Sequence, residues 1–280
     1  INNRRLKTMT KIISIHSFRG GTGKSNITAN LATMIARSGY RVGIVDTDIQ
    51  SPGIHVPFGL DDTQIKYTLN DYLWGKCKLD AATYDVSSVF TTRQKSGWFS
   101  NNKGKIYLIP SSIKTNEISK ILREGYDARL LNDGFRHLTQ QLKLDYLFID
   151  THPGINEETL LSVIISDILI VILRPDKQDY QGTAVTIDVA RKLEVPKMLL
   201  VVNKVLPSIN QEALRNQVQK NYNATVAGIL PVCDEMFQLA SSDIFSLRYP
   251  EHAWTQTVST IAKQLTDKQP ATKLYKEARY

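Results

Sequence analysis

The sequence predicts an α/β fold, a mainly parallel twisted sheet of about seven or eight strands flanked by helices on both faces. Three observations carry that expectation. Short apolar, β-rich runs alternate with helical patterns along nearly the whole chain. The runs are almost continuously apolar, as burial on two faces requires. A glycine-rich turn joins the first run to the first helical pattern, as in a βα unit whose strand feeds directly into a helix.

In chain order, the first strand is read at 11–17 and the first helix at 24–38, followed by a strand at 41–46 that ends on acidic residues. Residues 61–104 are the least regular stretch, an excursion from the sheet with a short helix near 69–74. Strands follow at 105–110, 145–150, 167–173, 197–203 and 225–230, alternating with helices at 127–143, 157–165, 180–193, 211–221 and 252–265. Right-handed crossovers then link the strands of a mainly parallel sheet, and ligands collect at the carboxyl ends of the strands. One domain is expected at 11–265, with a basic N-terminal extension at 1–10, in which Met9 is a candidate start, and a tail at 266–280. No internal repeat, low-complexity segment or Pro/Gly-rich linker divides it.

At 280 residues, 42% apolar and 22% charged, the chain has globular composition and enough length for a large core. Its longest apolar runs, 164–173 and 198–202, fall far short of the ~20 residues that span a bilayer. The basic start lacks the apolar stretch of a secretory signal. Cys77 and Cys233 stand far apart and outside any CxxC or metal-ligand pattern, so a reduced, cytoplasmic setting is expected. A formal charge of +8 permits attraction to nucleic acid, anionic lipid or an acidic partner.

The turn after the first strand reads Phe18-Arg19-Gly20-Gly21-Thr22-Gly23-Lys24-Ser25. Glycines let a backbone curl with its N–H groups inward at the positive end of a helix, which is what an anion needs. Lys24 would then lie over the β- and γ-phosphates of a nucleotide, with the Ser25 hydroxyl on Mg²⁺. Two further strands end in acids at the same edge. The second gives Asp46-Thr47-Asp48, and the one at 145–150 gives Asp150 followed by Thr151-His152-Pro153-Gly154. Buried carboxylates there need a cation or hydrogen-bond donors, and Asp150 reads as the acid that holds Mg²⁺ through water or through Ser25.

The general phosphate-loop pattern asks for glycine where this chain has Phe18. The stretch instead resembles the deviant Walker A box of the MinD/ParA family of P-loop ATPases, Lys-Gly-Gly-x-Gly-Lys-Ser/Thr, with Arg19 in place of the extra lysine. The resemblance runs from about residue 11 to 265, with the motifs in the expected order. It implies a P-loop NTPase fold, ATP and Mg²⁺ as ligands, and an ATP-dependent homodimer in which Arg19 reaches the partner's nucleotide. Gly20, Gly21, Thr22, Gly23, Lys24, Ser25 and Asn26 would hold the nucleotide. Asp48 would orient the attacking water and, with Ser25 and Asp150, form the Mg²⁺ set. Asp46 would support them, although a capping or loop role explains it equally. The Gly154 N–H would sense the γ-phosphate. His152 stands where the family usually has proline and reads more readily as a loop histidine than as a catalytic one. Asn203, just past a buried strand, would bind adenine through its amide, and Pro231, equally a simple turn residue, would close the other side of the base.

The resemblance further implies slow hydrolysis stimulated by an activating or adaptor protein, in the positioning, partitioning or regulation of a cargo. Stable membrane anchoring is not expected, since the tail at 266–280 contains Pro270 and only Leu274 and tyrosines as apolar residues. Nonspecific DNA binding would use Arg123, Arg129, Arg136, Arg174, Lys177, Arg191, Lys192 and Arg248, each equally read as part of a solvated face. An ATP-dependent ligase or synthetase with a pocket built by residues 61–126 is the alternative activity. Iron–sulphur relatives are disfavoured by the cysteine spacing, and tail tyrosines Tyr275 and Tyr280 are thin support for a kinase.

Overall fold

The computed structural model describes residues 9–91, 104–127 and 129–267. The N-terminal residues 1–8 of the basic extension and residues 268–280 of the tail, with Pro270, Leu274, Tyr275 and Tyr280, lie outside them.

Eight strands form one sheet: β1 (Lys11–His16), β2 (Arg41–Asp46), β3 (Tyr84–Asp85), β4 (Lys105–Ile109), β5 (Tyr146–Asp150), β6 (Ile168–Leu173), β7 (Met198–Val205) and β8 (Thr225–Pro231). Their order across the sheet is β3-β4-β2-β5-β1-β6-β7-β8. Every neighbouring pair is parallel except β3 with β4. The helices are α1 (Lys24–Arg37), α2 (Leu69–Leu73), α3 (Thr115–Glu124), α4 (Arg129–Gln141), α5 (Glu157–Ile164), α6 (Lys177–Lys192), α7 (Gln211–Tyr222), α8 (Asp234–Leu239), α9 (Phe245–Arg248) and α10 (Ala253–Thr266).

Strand periodicity explains why the apolar runs are continuous. Successive side chains leave a strand on opposite faces, so β5 sends Tyr146 and Phe148 to one core and Leu147 and Ile149 to another. Likewise β6 divides Ile168, Ile170 and Ile172 from Leu169, Val171 and Leu173. One face is covered by α1, α9 and α10 through Ile27, Leu31, Ile35, Phe245, Trp254 and Val258. On the other, α2 and α4 cover one half and α6 and α7 cover the other half.

The short helix expected near 69–74 is α2, started by a capping box in which Asp71 accepts from the Thr68 N–H at 3.0 Å while the Thr68 hydroxyl accepts from the Asp71 N–H at 3.4 Å. The irregular stretch also contributes edge strand β3, whose Tyr84 hydroxyl accepts from the N–H groups of Lys66 and Tyr67 at 2.8 and 2.9 Å. Helix α3 was not expected; it is short and mostly polar, and it buries Ile121 and Glu117. Helix α6 begins three residues before the expected start because the Asp176 carboxylate caps it, accepting from the Asp179 N–H at 2.9 Å. Among the described residues no helix is long and apolar enough to cross a membrane.

Candidate active site

Sheet order places the candidate residues together. Strands β2, β5 and β1 are neighbours, and in register Asp150 lies opposite both Asp46 and Ile15. The loops leaving their carboxyl ends therefore emerge side by side. Thr47 ties two of them, its N–H and hydroxyl both donating to the Asp150 carbonyl at 2.9 and 3.0 Å.

The glycine loop between β1 and α1 takes left-handed backbone at Gly21 (φ 74°) and Gly23 (φ 92°), the latter as the N-cap of α1. Glycine is needed at the second for a second reason: a Cβ there would come within 2.5 Å of the Asn203 amide nitrogen. That amide donates to the Thr22 carbonyl at 2.7 Å, the Lys204 ammonium to the Gly21 carbonyl at 2.7 Å, and the Ser17 hydroxyl to the Arg19 carbonyl at 2.8 Å. With these carbonyls tied off by outside donors, the loop keeps its amides for an anion. Lys204, itself at φ 57°, was not singled out in the sequence; its place directly after Asn203 was the available signal.

Lys24 is buried, its Nζ 3.4 Å from Asp48 Oδ2 and 3.4 Å from Asp150 Oδ1. Burial alone would lower its pKa, but the negative charges of Asp150, Asp48 and Asp46 together raise it. Asp46 and Asp150 are raised as well, which favours their neutral forms. Burial first, then repulsion from Asp150 and Asp48, lifts the Asp46 carboxyl well above the usual range, against the pull of Lys24 and the Asp48 N–H. Asp150 is also raised by burial, with Lys24 and the hydroxyls of Ser25 and Thr28 opposing and Asp48 adding to the rise. The Thr28 hydroxyl donates to Asp150 Oδ1 at 3.1 Å, whereas the buried Oδ2 has no hydrogen-bond partner among the described residues. Thr28 was not singled out in the sequence; its place one helical turn beyond Lys24 on the same face of α1 was the available signal.

Asp46 is fixed by the Asp48 N–H at 3.0 Å and the Gly53 N–H at 3.2 Å, so it braces the loop that carries Asp48. His152 is not a solvated loop residue: it is partly buried and its Nδ1 lies 2.7 Å from Asp48 Oδ1. A second imidazole, His16, is fully buried at the end of β1. The Thr151 hydroxyl donates to the Ile15 carbonyl at 3.0 Å, so His16 Nδ1 donates to Thr151 Oγ1 at 2.9 Å and Nε2 keeps its lone pair. Burial, with help from the charge on Lys24, pushes the His16 pKa down to about 3.

Other expected residues have partners within the chain. Arg19 Nη1 donates to Gln178 Oε1 at the start of α6. The Gly154 N–H, at φ 85°, donates to the Ser17 carbonyl at 3.1 Å. Asn26 Nδ2 lies 3.4 Å from the Ser241 hydroxyl. Pro231 ends β8 in register with Val205. Away from these loops, Cys233, Glu235 and His252 bring a thiol, a carboxylate oxygen and a ring nitrogen within 4.8 Å of one another, a grouping the sequence did not reveal. His252 Nδ1 accepts from the Trp254 N–H at 3.0 Å as the cap of α10, so the ring proton sits on Nε2, and the neutral ring has no lone pair left for a metal.

The chain is similar in sequence and fold to known proteins. A family model described as an AAA domain matches residues 10–226. The septum site-determining protein MinD of Bacillus subtilis is 29% identical over 244 residues, a match spanning 85% of this chain and 76% of that protein. Among solved structures, the septum site-determining protein MinD complexed with Mg-ADP from Pyrococcus horikoshii gives a TM-score of 0.72 at 23% identity, covering 92% of this chain and 96% of the other. A ParA family ATPase from Chlorobium tepidum gives 0.68 at 18% identity, covering 90% and 98%. The last two show the shared fold; the domain match over residues 10–226, with the MinD relative, places this protein in the MinD/ParA family of P-loop ATPases.

Proposed function

We propose that residues 11–265 form an ATPase domain that binds MgATP in the loop from Gly20 to Asn26, hydrolyses it, and pairs two copies while the γ-phosphate is present. The observation that carries this reading is Lys24, a buried ammonium at the end of a glycine loop, facing Asp48 and Asp150 at 3.4 Å each. Lys24 would exchange these carboxylates for β- and γ-phosphate oxygens.

The acids fit a divalent cation. Asp46, Asp48 and Asp150 surround the single charge of Lys24, and Asp150 Oδ2 is buried without a partner among the described residues. Ser25, Asp48 and Asp150 would hold Mg²⁺, which when bound supplies charge neutralisation at the phosphate oxygens. Asp48 would accept a hydrogen bond from the attacking water. The water oxygen forms a bond to the γ-phosphorus as the bond to the β,γ-bridging oxygen breaks, its electron pair leaving on ADP and the water proton passing to the phosphate released. Asn203 and Pro231 would flank adenine, and Gly154 would leave the Ser17 carbonyl to meet the γ-phosphate. Arg19, held by Gln178 on the surface, would turn to the nucleotide of the second copy, where its planar fork suits phosphate oxygens.

The biological role we infer is cytoplasmic positioning or regulation of a cargo, with slow turnover accelerated by a partner protein. This rests on the relatives named above. Of the basic residues that could touch DNA, Arg129 is held by Asp127, Arg174 by Asp176 and Asp179, Arg191 by the Tyr222 and Asn223 carbonyls, and Arg123 by the Ser119 carbonyl. Arg136, Lys177, Lys192 and Arg248 are exposed and would carry any such contact.

Calorimetry with ATP, with and without Mg²⁺, tests the site; light scattering tests the pairing. Magnesium-dependent binding is expected in the unsubstituted protein, and a shift from monomer to dimer that is clearest in Asp48→Ala, where hydrolysis is blocked. Absence of magnesium-dependent binding removes the nucleotide reading, and a monomer at saturating ATP removes the pairing.

A further inference from the structure

We infer that His152 is a positioning residue for hydrolysis, which locks the Asp48 carboxylate so that Oδ2 alone is presented to the phosphates. The inference rests on the ATPase reading above and assigns a role to a position where the family motif offers no side-chain donor.

The geometry is specific. A carboxylate only accepts, so His152 Nδ1 carries the proton and donates to Asp48 Oδ1 at 2.7 Å, a charge-assisted bond at the short end of its class. The Ser51 N–H converges on the same oxygen at 3.3 Å. The other oxygen, Oδ2, is the one turned towards Lys24 at 3.4 Å. Two donors on Oδ1 and none but Lys24 on Oδ2 fix the rotation of the carboxylate about its Cβ–Cγ bond. Once Lys24 moves to the phosphates, Oδ2 is the oxygen with a free lone pair, on the side that Lys24 occupied.

His152 is itself held from behind. The Thr159 hydroxyl in the first turn of α5 donates to its carbonyl at 3.4 Å, and Pro153 follows it, which restricts the backbone at 152. The ring is about one-fifth exposed, its edge sharing a shallow depression with Thr47, Gln50 and Glu158. The imidazole thus connects the segment after β5 to the one after β2 through a single hydrogen bond. Any shift of residues 151–154 on phosphate binding would turn Asp48.

Two measurements test this. In the protein without added nucleotide, the hydrogen-bonded imidazole N–H of ¹⁵N-histidine-labelled protein should appear as a downfield proton resonance that Asp48→Ala abolishes; persistence of that resonance in the variant overturns the contact. In steady-state hydrolysis, His152→Ala should lower kcat roughly tenfold to a hundredfold while calorimetric MgATP affinity stays within about twofold. His152→Asn, whose amide can reach where Nδ1 donates, should recover most of the lost kcat. An unchanged kcat in His152→Ala, or affinity falling in step with kcat and no recovery with asparagine, overturns the positioning role. Failure of the unsubstituted protein to bind or hydrolyse ATP overturns the nucleotide reading and this role with it, and is told apart because it appears before any substitution is made.

Discussion

His16 shows how a residue can be plain in the sequence and unreadable in it. It is the last residue of an apolar strand, but nothing in the letters says that both ring nitrogens are sealed from water. The structure makes it a neutral imidazole with a pKa near 3. Below its unfolded value of about 6.5, the unfolded chain binds a proton that the native chain refuses, so native stability falls as pH falls from 6.5 towards 3. The contribution is up to about 1.4 kcal/mol per pH unit. The raised carboxyls of Asp46 and Asp150 tilt the curve the other way, since there the native chain binds more protons than the unfolded one. His16→Asn isolates the imidazole: urea unfolding at pH 7, 6 and 5 should show a gentler loss on acidification in the variant, and equal slopes would contradict this account. Lys24, Ser25 and Asp150 were legible because their residue types and spacing follow from triphosphate chemistry. Lys204 and His152 were not, because their partners, the Gly21 carbonyl and Asp48, are 183 and 104 residues away in sequence.

Among the elements, the glycine loop depends on its neighbours as much as on its own composition. The glycines were readable as a turn, but not which of them tolerates no side chain. Gly21 has open space around its missing Cβ, whereas Gly23 is pressed against Asn203 beyond β7. Gly23→Ala must therefore displace the amide that holds the Thr22 carbonyl, and must strain a left-handed backbone. A stability loss of roughly 1–3 kcal/mol is expected, with MgATP affinity lost as well; Gly21→Ala should show strain without the loss of the Asn203 bond. Thermal unfolding and calorimetry on the two variants check the contrast. The strands were the most readable elements, since continuous apolar runs of five to eight residues have few other uses in a chain of this composition. Helices α8 and α9 escaped because α8 buries no residue and α9 is one turn long, and α3 because its ten residues hold only three apolar ones.

Over the whole molecule, strand order does what the linear sequence could only suggest. Alternation of strands and helices predicted a parallel sheet, but it did not say that β1 lies between β5 and β6, which is what gathers three loops at one edge. Assembly is the other property of this scale. Arg19 lies at the rim of that edge with a surface partner in its own chain, not a buried one. Arg19→Ala is expected to weaken ATP-dependent pairing about tenfold or more while the affinity of the single chain for MgATP changes by less than about twofold. Light scattering across a concentration series, set beside calorimetry, reads both; parallel loss of the two would place Arg19 against its own nucleotide. Arg19→Lys should pair nearly as well, since the charge is kept. Lys24 and the Gly154 N–H share one property with consequences for the molecule as a machine: each already holds a partner within the chain. On the proposed reading, a triphosphate arriving at this edge would have to displace both partners, and the departure of a phosphoryl group would let both bonds re-form.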